Sequence, residues 1–286
     1  MGTIEQRERR GEERAADLEE LELELLLEAV FRRYGFDFRG YAPASLKRRL
    51  WRRVRAEGME TIAALQQRLL RDPLCMERLL LDLSINVTAM FRDPSFYLAF
   101  RSKVVPILRT YPFLRIWIAG CSTGEEVYSL AILLREEGLA ERARIYATDI
   151  NEAVLDRGRK GVFPLDRMKE YTENYLRAGG KSSFSEYYLA AYEGARFDPA
   201  LVDNVVFARH NLVQDGSFNE FQVVLCRNVM IYFDRSLQQR VLDLLADSLA
   251  TFGVLALGHK ESIRFTEQEP GFEVLDADQK LYRKVK

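Results

Sequence analysis

Two glutamates, Glu125 and Glu126, directly follow a glycine turn in the stretch Arg115-Ile-Trp-Ile-Ala-Gly-Cys-Ser-Thr-Gly-Glu-Glu-Val-Tyr-Ser-Leu-Ala-Ile-Leu-Leu134. An apolar run, Ile116 to Ala119, stops at Gly120 and Gly124, and apolar residues then recur at helical spacing (Val127, Leu130, Ala131, Leu134). The pattern predicts strand, tight turn and helix. Such a turn brings bare backbone and a helix N-terminus close to a ligand, as in doubly wound nucleotide-binding folds. Two carboxylates there would repel a pyrophosphate and favour a ribose hydroxyl or a cation. Asp149 ends a second strand (Ile145-Tyr-Ala-Thr-Asp149) about 25 residues after Gly124, where such folds place an acid for ribose hydroxyls. Capping of the helix that starts near Glu152 fits Asp149 equally well on spacing alone. The turn lacks the GxGxxG form, which argues against ordinary NAD binding.

A third group is Cys226-Arg-Asn-Val-Met-Ile-Tyr-Phe-Asp234, where a buried strand ends and Arg227, Asn228 and Tyr232 follow. Ligands of open parallel sheets bind beyond the carboxyl ends of the strands, so these side chains are expected at the same crevice as Glu125 and Asp149. The competing reading pairs Arg227 with a structural carboxylate. Only two histidines, His210 and His259, are present, and neither belongs to a catalytic triad or metal-ligand pattern. A reaction that needs no histidine base is preferred.

The elements that must position these residues alternate: strands at Arg115–Ala119, Arg144–Thr148, Val205–Ala208, Val223–Cys226 and Val254–Gly258, with helices at Val127–Arg135, Glu152–Arg159 and from Asp234 to about Thr251. This order predicts an α/β doubly wound, mostly parallel sheet with right-handed crossovers. Lys280 to Val285 alternates as an edge strand would. Between about 161 and 204 the alternation lapses around Gly179-Gly180 and the aromatic cluster Phe184, Tyr187, Tyr188 and Tyr192, which reads as an inserted subdomain. Upstream, residues 1–17 form a charged tail or frayed helix, 18–84 a small all-α domain, and 85–110 a polar connector followed by a helix from about Ser95 to Leu108.

Within the helical domain, Ser45 is placed to cap a helix carrying Lys47, Arg48, Arg49, Arg52, Arg53 and Arg55 around Leu46, Leu50, Trp51 and Val54. Six cations in nine positions without an acid exceed what a merely solvated face needs, and suggest an acidic partner. For the whole chain, 286 residues with 48% hydrophobic and 30% charged side chains describe a soluble globular protein, and a net charge of -1 argues against a protein devoted to nucleic acid. Three widely spaced cysteines outline neither a disulfide framework nor a zinc site, so no metal is expected. The charged N-terminus and the lack of an apolar run of about 18 residues argue against a signal peptide and membrane insertion, and point to the cytoplasm.

Taken together, Leu83-Ser-Ile-Asn-Val-Thr-Ala-Met-Phe-Arg92, Ser122-Thr-Gly-Glu-Glu-Val-Tyr-Ser129, Ala147-Thr-Asp-Ile150 and Cys226-Arg-Asn-Val-Met-Ile-Tyr-Phe233 resemble the CheR family of chemoreceptor glutamate methyltransferases. The resemblance implies an all-α N-terminal domain, a linker helix, and a class I S-adenosylmethionine domain over 111–286 with an inserted small β-subdomain. Matched position by position, it places cofactor contacts at Asn86, Thr88, Arg92, Glu125, Asp149, Asn211, Leu212, Arg227 and Asn228, with Arg92 and Tyr232 beside the methyl in transfer. It also implies that Arg48, Arg49, Arg52, Arg53 and Arg55 dock on the glutamate-bearing helices of a receptor. His259 lies in Gly258-His-Lys-Glu261, where Lys260 departs from the family's Gly-His-Ser-Glu, and receives no catalytic role. The expected activity is transfer of a methyl group from S-adenosylmethionine to glutamate carboxylates, leaving S-adenosylhomocysteine. The alternative of a different class is a non-catalytic module that binds the cofactor or its product, which Arg92, Arg227 and Tyr232 disfavour.

Overall fold

The computed structural model describes residues 2–83, 88–191 and 194–286, with side chains from residue 14 onward apart from residue 15. The chain divides into two compact units, one comprising 1–85 with 232–237 and the other 86–231 with 238–286.

The first unit is helical: α1 (Gly2–Tyr34), α2 (Pro43–Ala56), α3 (Ile62–Leu69) and α4 (Pro73–Leu83). Helix α1 extends to Gly2, through the stretch read as a charged tail or frayed helix, and it buries Leu23, Leu26, Leu27 and Val30. Its C-terminal half packs on α3, while α2 packs on α3 and α4. Thr61 caps α3 by accepting from the Ala64 amide at 3.1 Å. Helix α2 starts differently from the expectation: Pro43 opens it after Ala42, and no side chain caps it. Ser45 lies inside the first turn.

The second unit opens with the connector and a linker helix that breaks into α5 (Pro94–Ala99), a π turn at Phe100–Val104 and α6 (Val105–Leu108). Pro106 explains the widened turn, since it lacks the N–H that would bond one turn back. Then follow β1 (Leu114–Ala119), α7 (Glu125–Glu136), β2 (Ala143–Asp149), α8 (Glu152–Lys160), β3 (Val162–Phe163), α9 (Met168–Arg177), β4 (Tyr188–Ala191), β5 (Gly194–Phe197), β6 (Val205–Arg209), β7 (Phe221–Cys226), α10 (Arg235–Asp247), β8 (Leu249–Leu257), β9 (Phe272–Asp276) and β10 (Leu281–Lys284). The main sheet runs β6-β2-β1-β7-β8-β10-β9. Its first five strands are parallel, β10 runs antiparallel to β8, and β9 pairs antiparallel with β10.

Alternation located β10 but not β9, which pairs with it on the outside, so that β10 is not the edge strand expected. Helix α10 is also shorter than expected, because Leu249 already pairs with Phe221 in β8. The insertion holds a three-stranded sheet, β3-β5-β4, but contributes a helix, α9, as well. Phe184 and Tyr187 pack with Tyr175 of α9, and Phe184 and Tyr188 with Phe197 of β5. Tyr192 lies outside the described residues. Strand order reverses at β1, with β2 on one side and β7 on the other, which sets a crevice beyond their carboxyl ends. Among the described residues no helix is long and apolar enough to cross a membrane.

Candidate active site

The turn after β1 is pinned to β2 by main-chain bonds: the amides of Gly120 and Cys121 both donate to the Thr148 carbonyl, at 2.8 and 2.9 Å. Gly124 stands at φ +97, and a Cβ there would lie 3.0 Å from the Cα of Gly158 in α8. Glycine thus serves both the left-handed backbone and the close approach of α8 to the head of α7.

Asp149 and Glu125 meet at this turn. One Asp149 carboxylate oxygen accepts from the Ser122 amide and the other from the Asn151 amide, each at 3.0 Å. Asp149 is therefore not the cap of α8; Asn151 is, accepting from the Ala153 amide. Burial pushes the Asp149 carboxyl up, against the pull of these amides. Glu125 is 6% exposed. Its Oε2 accepts from Thr123 Oγ1 at 2.6 Å and its Oε1 from the Tyr171 hydroxyl at 3.4 Å. Burial raises its pKa too, with Thr123 and Tyr171 acting the other way. Tyr171 comes from α9, so the insertion supplies one wall of the site. Sequence reasoning missed Tyr171, and its periodic placement with Met168 and Tyr175 signals only a buried helix face.

Glu126 does something else. Its Oε1 accepts from Arg227 Nη1 at 2.7 Å, while Arg227 Nη2 donates to Asp93 Oδ2 at 2.9 Å and to the Arg92 carbonyl at 3.4 Å. The guanidinium also lies over the Phe96 ring, 3.8 Å from its centroid. Burial opposes the Arg227 charge, but Glu126 and Asp93 more than offset it and hold its pKa up. With its side chain only 2% exposed, Arg227 is a strut between β7, the head of α7 and the connector. Arg227, expected among the cofactor contacts, thus has its guanidinium paired with two carboxylates, as in the competing reading of that residue.

The connector is itself fixed on this unit. The Phe91 amide donates to Ser129 Oγ of α7 at 2.8 Å, Asn174 of α9 to the Met90 carbonyl at 3.1 Å, and Arg167 to the Thr88 carbonyl at 3.4 Å. Thr88 and Arg92 thus sit beside the turn, whereas Asn86 lies outside the described residues. Asn211 commits its side chain to its own turn, accepting from the Val213 amide and donating to Gln214. It holds its main chain and the buried Leu212 in place beyond β6.

Asn228 adopts φ +61. The loop carrying it is organised by Glu261, whose carboxylate accepts from four amides: Gly258 at 2.6 Å, Asn228 at 2.8 Å, Val229 at 2.9 Å and Met230 at 2.7 Å. Glu261 carried no role in the sequence reading. A carboxylate three residues after a strand-end glycine was the available signal. His210 bonds the Gly216 carbonyl and packs edge-on against Trp117, and His259 bonds the Asp278 carbonyl.

Tyr232 ends a short 3-10 turn (Met230–Tyr232) and groups with the first unit. There the basic residues of α2 prove unequal. Arg49 is buried, donating to the Leu83 carbonyl and to Ser45 Oγ at 2.9 Å. Arg53 is nearly enclosed and paired with Asp82 and Glu57. Arg52 is exposed while also meeting Asp82, and Arg48 and Arg55 are exposed. Of the five arginines expected to dock, Arg49 and Arg53 sit three and seven residues after the buried Leu46 and share its face.

Comparison with known proteins accounts for this arrangement. Residues 86–281 match the model of the CheR methyltransferase SAM-binding domain, and residues 21–84 that of the CheR methyltransferase all-alpha domain. A protein named Cher3 from Pseudomonas putida is 52% identical over 93% of this chain and 97% of its own. Chemotaxis protein methyltransferase 2 of Pseudomonas aeruginosa is 34% identical over 75% of this chain and 76% of its own. The chemotaxis protein methyltransferase of Salmonella typhimurium is 30% identical over 83% and 82%. The acids fit S-adenosylmethionine, since a half-buried carboxylate at the second strand suits ribose hydroxyls and a buried one at the turn suits a cation, with no phosphate to repel. The chain belongs to the CheR methyltransferases, and is an S-adenosylmethionine-dependent enzyme of class I fold.

Proposed function

We propose that the chain esterifies glutamate side-chain carboxylates of a chemoreceptor-type signalling protein. Asp149 would hold the ribose and Glu125 the cationic amino-acid end of the cofactor, with Thr88, Asn211, Leu212 and Asn228 completing its enclosure. When bound, S-adenosylmethionine supplies a methyl already activated by the sulfonium. A glutamate (pKa about 4.3) is ionised at neutral pH, so its esterification needs no general base. The chain's task is to orient that carboxylate in line and strip part of its water, using donors that do not compete as nucleophiles. Arg92 and Tyr232 have that chemistry, and neither histidine is required. The exposed Arg48, Arg52 and Arg55 would meet acidic receptor helices.

The observation that carries the reading is the meeting of two carboxylates at one turn, the half-buried Asp149 and the buried Glu125, each supplied with fixed hydrogen-bond donors. Calorimetric titration tests it. S-adenosylhomocysteine should bind and NADH should not. Asp149→Ala should weaken S-adenosylhomocysteine by about tenfold or more, the scale of a lost charge-assisted hydrogen bond. Tyr232→Phe should bind it normally while methyl transfer falls. Undiminished binding by Asp149→Ala would remove the ribose assignment.

A further inference from the structure

The buried arginine of α2 stands next to the tyrosine assigned to the transfer step. The Arg49 guanidinium carbon lies 5.1 Å from the centroid of the Tyr232 ring. Arg49 is 6% exposed. Its two terminal nitrogens are occupied by the Leu83 carbonyl, at the end of α4, and by Ser45 Oγ, one turn back in α2. Among the described residues no carboxylate is within ion-pair distance of it, whereas Arg52 and Arg53 of the same helix both reach Asp82. Burial lowers its pKa, opposed by the neighbouring Tyr232. A desolvated cation lacking an acid partner is costly to keep, and its retention calls for a reason other than fold stability.

The main chain around Tyr232 is tied to the same unit. The Ala42 amide donates to the Tyr232 carbonyl at 2.9 Å and the Asp234 amide to the Gly40 carbonyl at 2.8 Å. Tyr41 and Phe233 form an antiparallel bridge, and their rings meet edge-on with centroids 4.9 Å apart. The segment just before α2 thus holds the Tyr232 backbone, and the first turns of α2 lay a planar cation by its ring.

We infer that Arg49 is a positioning residue for Tyr232: a fork fixed by Ser45 and by the end of α4 sets the tyrosine ring from within the helical unit. This rests on the proposed role of Tyr232 in methyl transfer. Lysine cannot reproduce it, because an ammonium offers neither a planar face nor a rigid fork. Arg49 then acts on turnover, whereas Arg48, Arg52 and Arg55 act on receptor capture.

Steady-state kinetics with a receptor fragment, together with S-adenosylhomocysteine titration and thermal melting, test this. Arg49→Lys should lower kcat about tenfold, since small misplacements of a reacting group carry losses of this order. KM for the receptor and the S-adenosylhomocysteine Kd should stay within about twofold, the scatter expected where no contact to either ligand is lost. Ser45→Ala, which removes one anchor and leaves the charge, should give a smaller loss in the same direction. Charge reversal at Arg48, Arg52 and Arg55 should instead raise KM. In the Tyr232→Phe background Arg49→Lys should cost little more, because the hydroxyl it positions is already gone.

A rise in KM with unchanged kcat in Arg49→Lys would overturn the inference and return Arg49 to receptor docking. So would equal losses in the presence and absence of the Tyr232 hydroxyl. If Tyr232→Phe itself turns over normally, the catalytic role of Tyr232 fails, and the positioning role of Arg49 falls with it.

Discussion

In the proposed assignment, the surroundings of Asp149 and Glu125 disfavour the form that the cofactor needs. Burial raises both carboxyls above the ordinary range of about 3.9 to 4.3, yet a ribose hydroxyl or a cation is held best by the ionised form. Affinity for S-adenosylhomocysteine should therefore be level above the raised values and fall as pH drops through them, at a higher pH than unperturbed carboxylates would give. The sign is opposite for the empty protein: a raised native pKa contributes stability that is present below the unfolded value and is lost as pH rises through the folded one. Acidification should thus shrink the thermal shift produced by the ligand. Calorimetry across this range checks it, and an affinity that stays flat down to the ordinary carboxylate range contradicts it. The position of Asp149 beside the turn was legible because its type and its distance from Gly124 are both set by the fold. Arg227 was not, since its direction depends on Asp93 and Glu126, which lie 134 and 101 positions away.

At the scale of elements, the loop after β7 is held by a carboxylate arriving from beyond β8. Glu261 accepts four amides, and Gly258 must be glycine because a Cβ would sit 2.7 Å from the Asn228 amide nitrogen and from Glu261 Oε2. Glu261→Gln keeps the shape but replaces one acceptor oxygen by a donor, leaving one pair of amides, Gly258 with Asn228 or Val229 with Met230, facing an N–H. Unsatisfied buried amides cost about 1–3 kcal/mol each, so the variant should lose about 3 kcal/mol in denaturant unfolding. A loss below about 0.5 kcal/mol, the scale of an ordinary surface change, would show that Glu261 does not organise the loop. Periodicity and strand–helix alternation carried most of this level, including the parallel order and the inserted subdomain. The outer strand β9 escaped because Phe272–Asp276 is largely solvent-facing and lacks a clean alternation. The break in the linker helix was written in Pro106. Helix α2 shows a subtler limit: the spacing of Leu46, Arg49, Leu50, Arg53 and Val54 marks one buried stripe, but a run of arginines reads first as surface.

Over the whole molecule, the chain joins an all-α unit to a methyltransferase unit, a division legible in the shift from a leucine-rich and arginine-rich segment to strand–helix alternation. A net charge near zero hides a concentration of cations on α2, of which Arg48, Arg52 and Arg55 remain on the outside. That polarity suits an enzyme whose second substrate is a large acidic surface while its cofactor is small and carries no phosphate. The proposed roles, two acids holding the cofactor with an arginine and a tyrosine for the acceptor, would suit carboxylate esterification without a base. The direct test is incubation with a methyl-labelled donor and cytoplasmic receptor fragments, followed by mild alkali. The account predicts label on glutamate side chains that is released by base as methanol and is lost in Asp149→Ala; base-stable label, or none on glutamate, would contradict it.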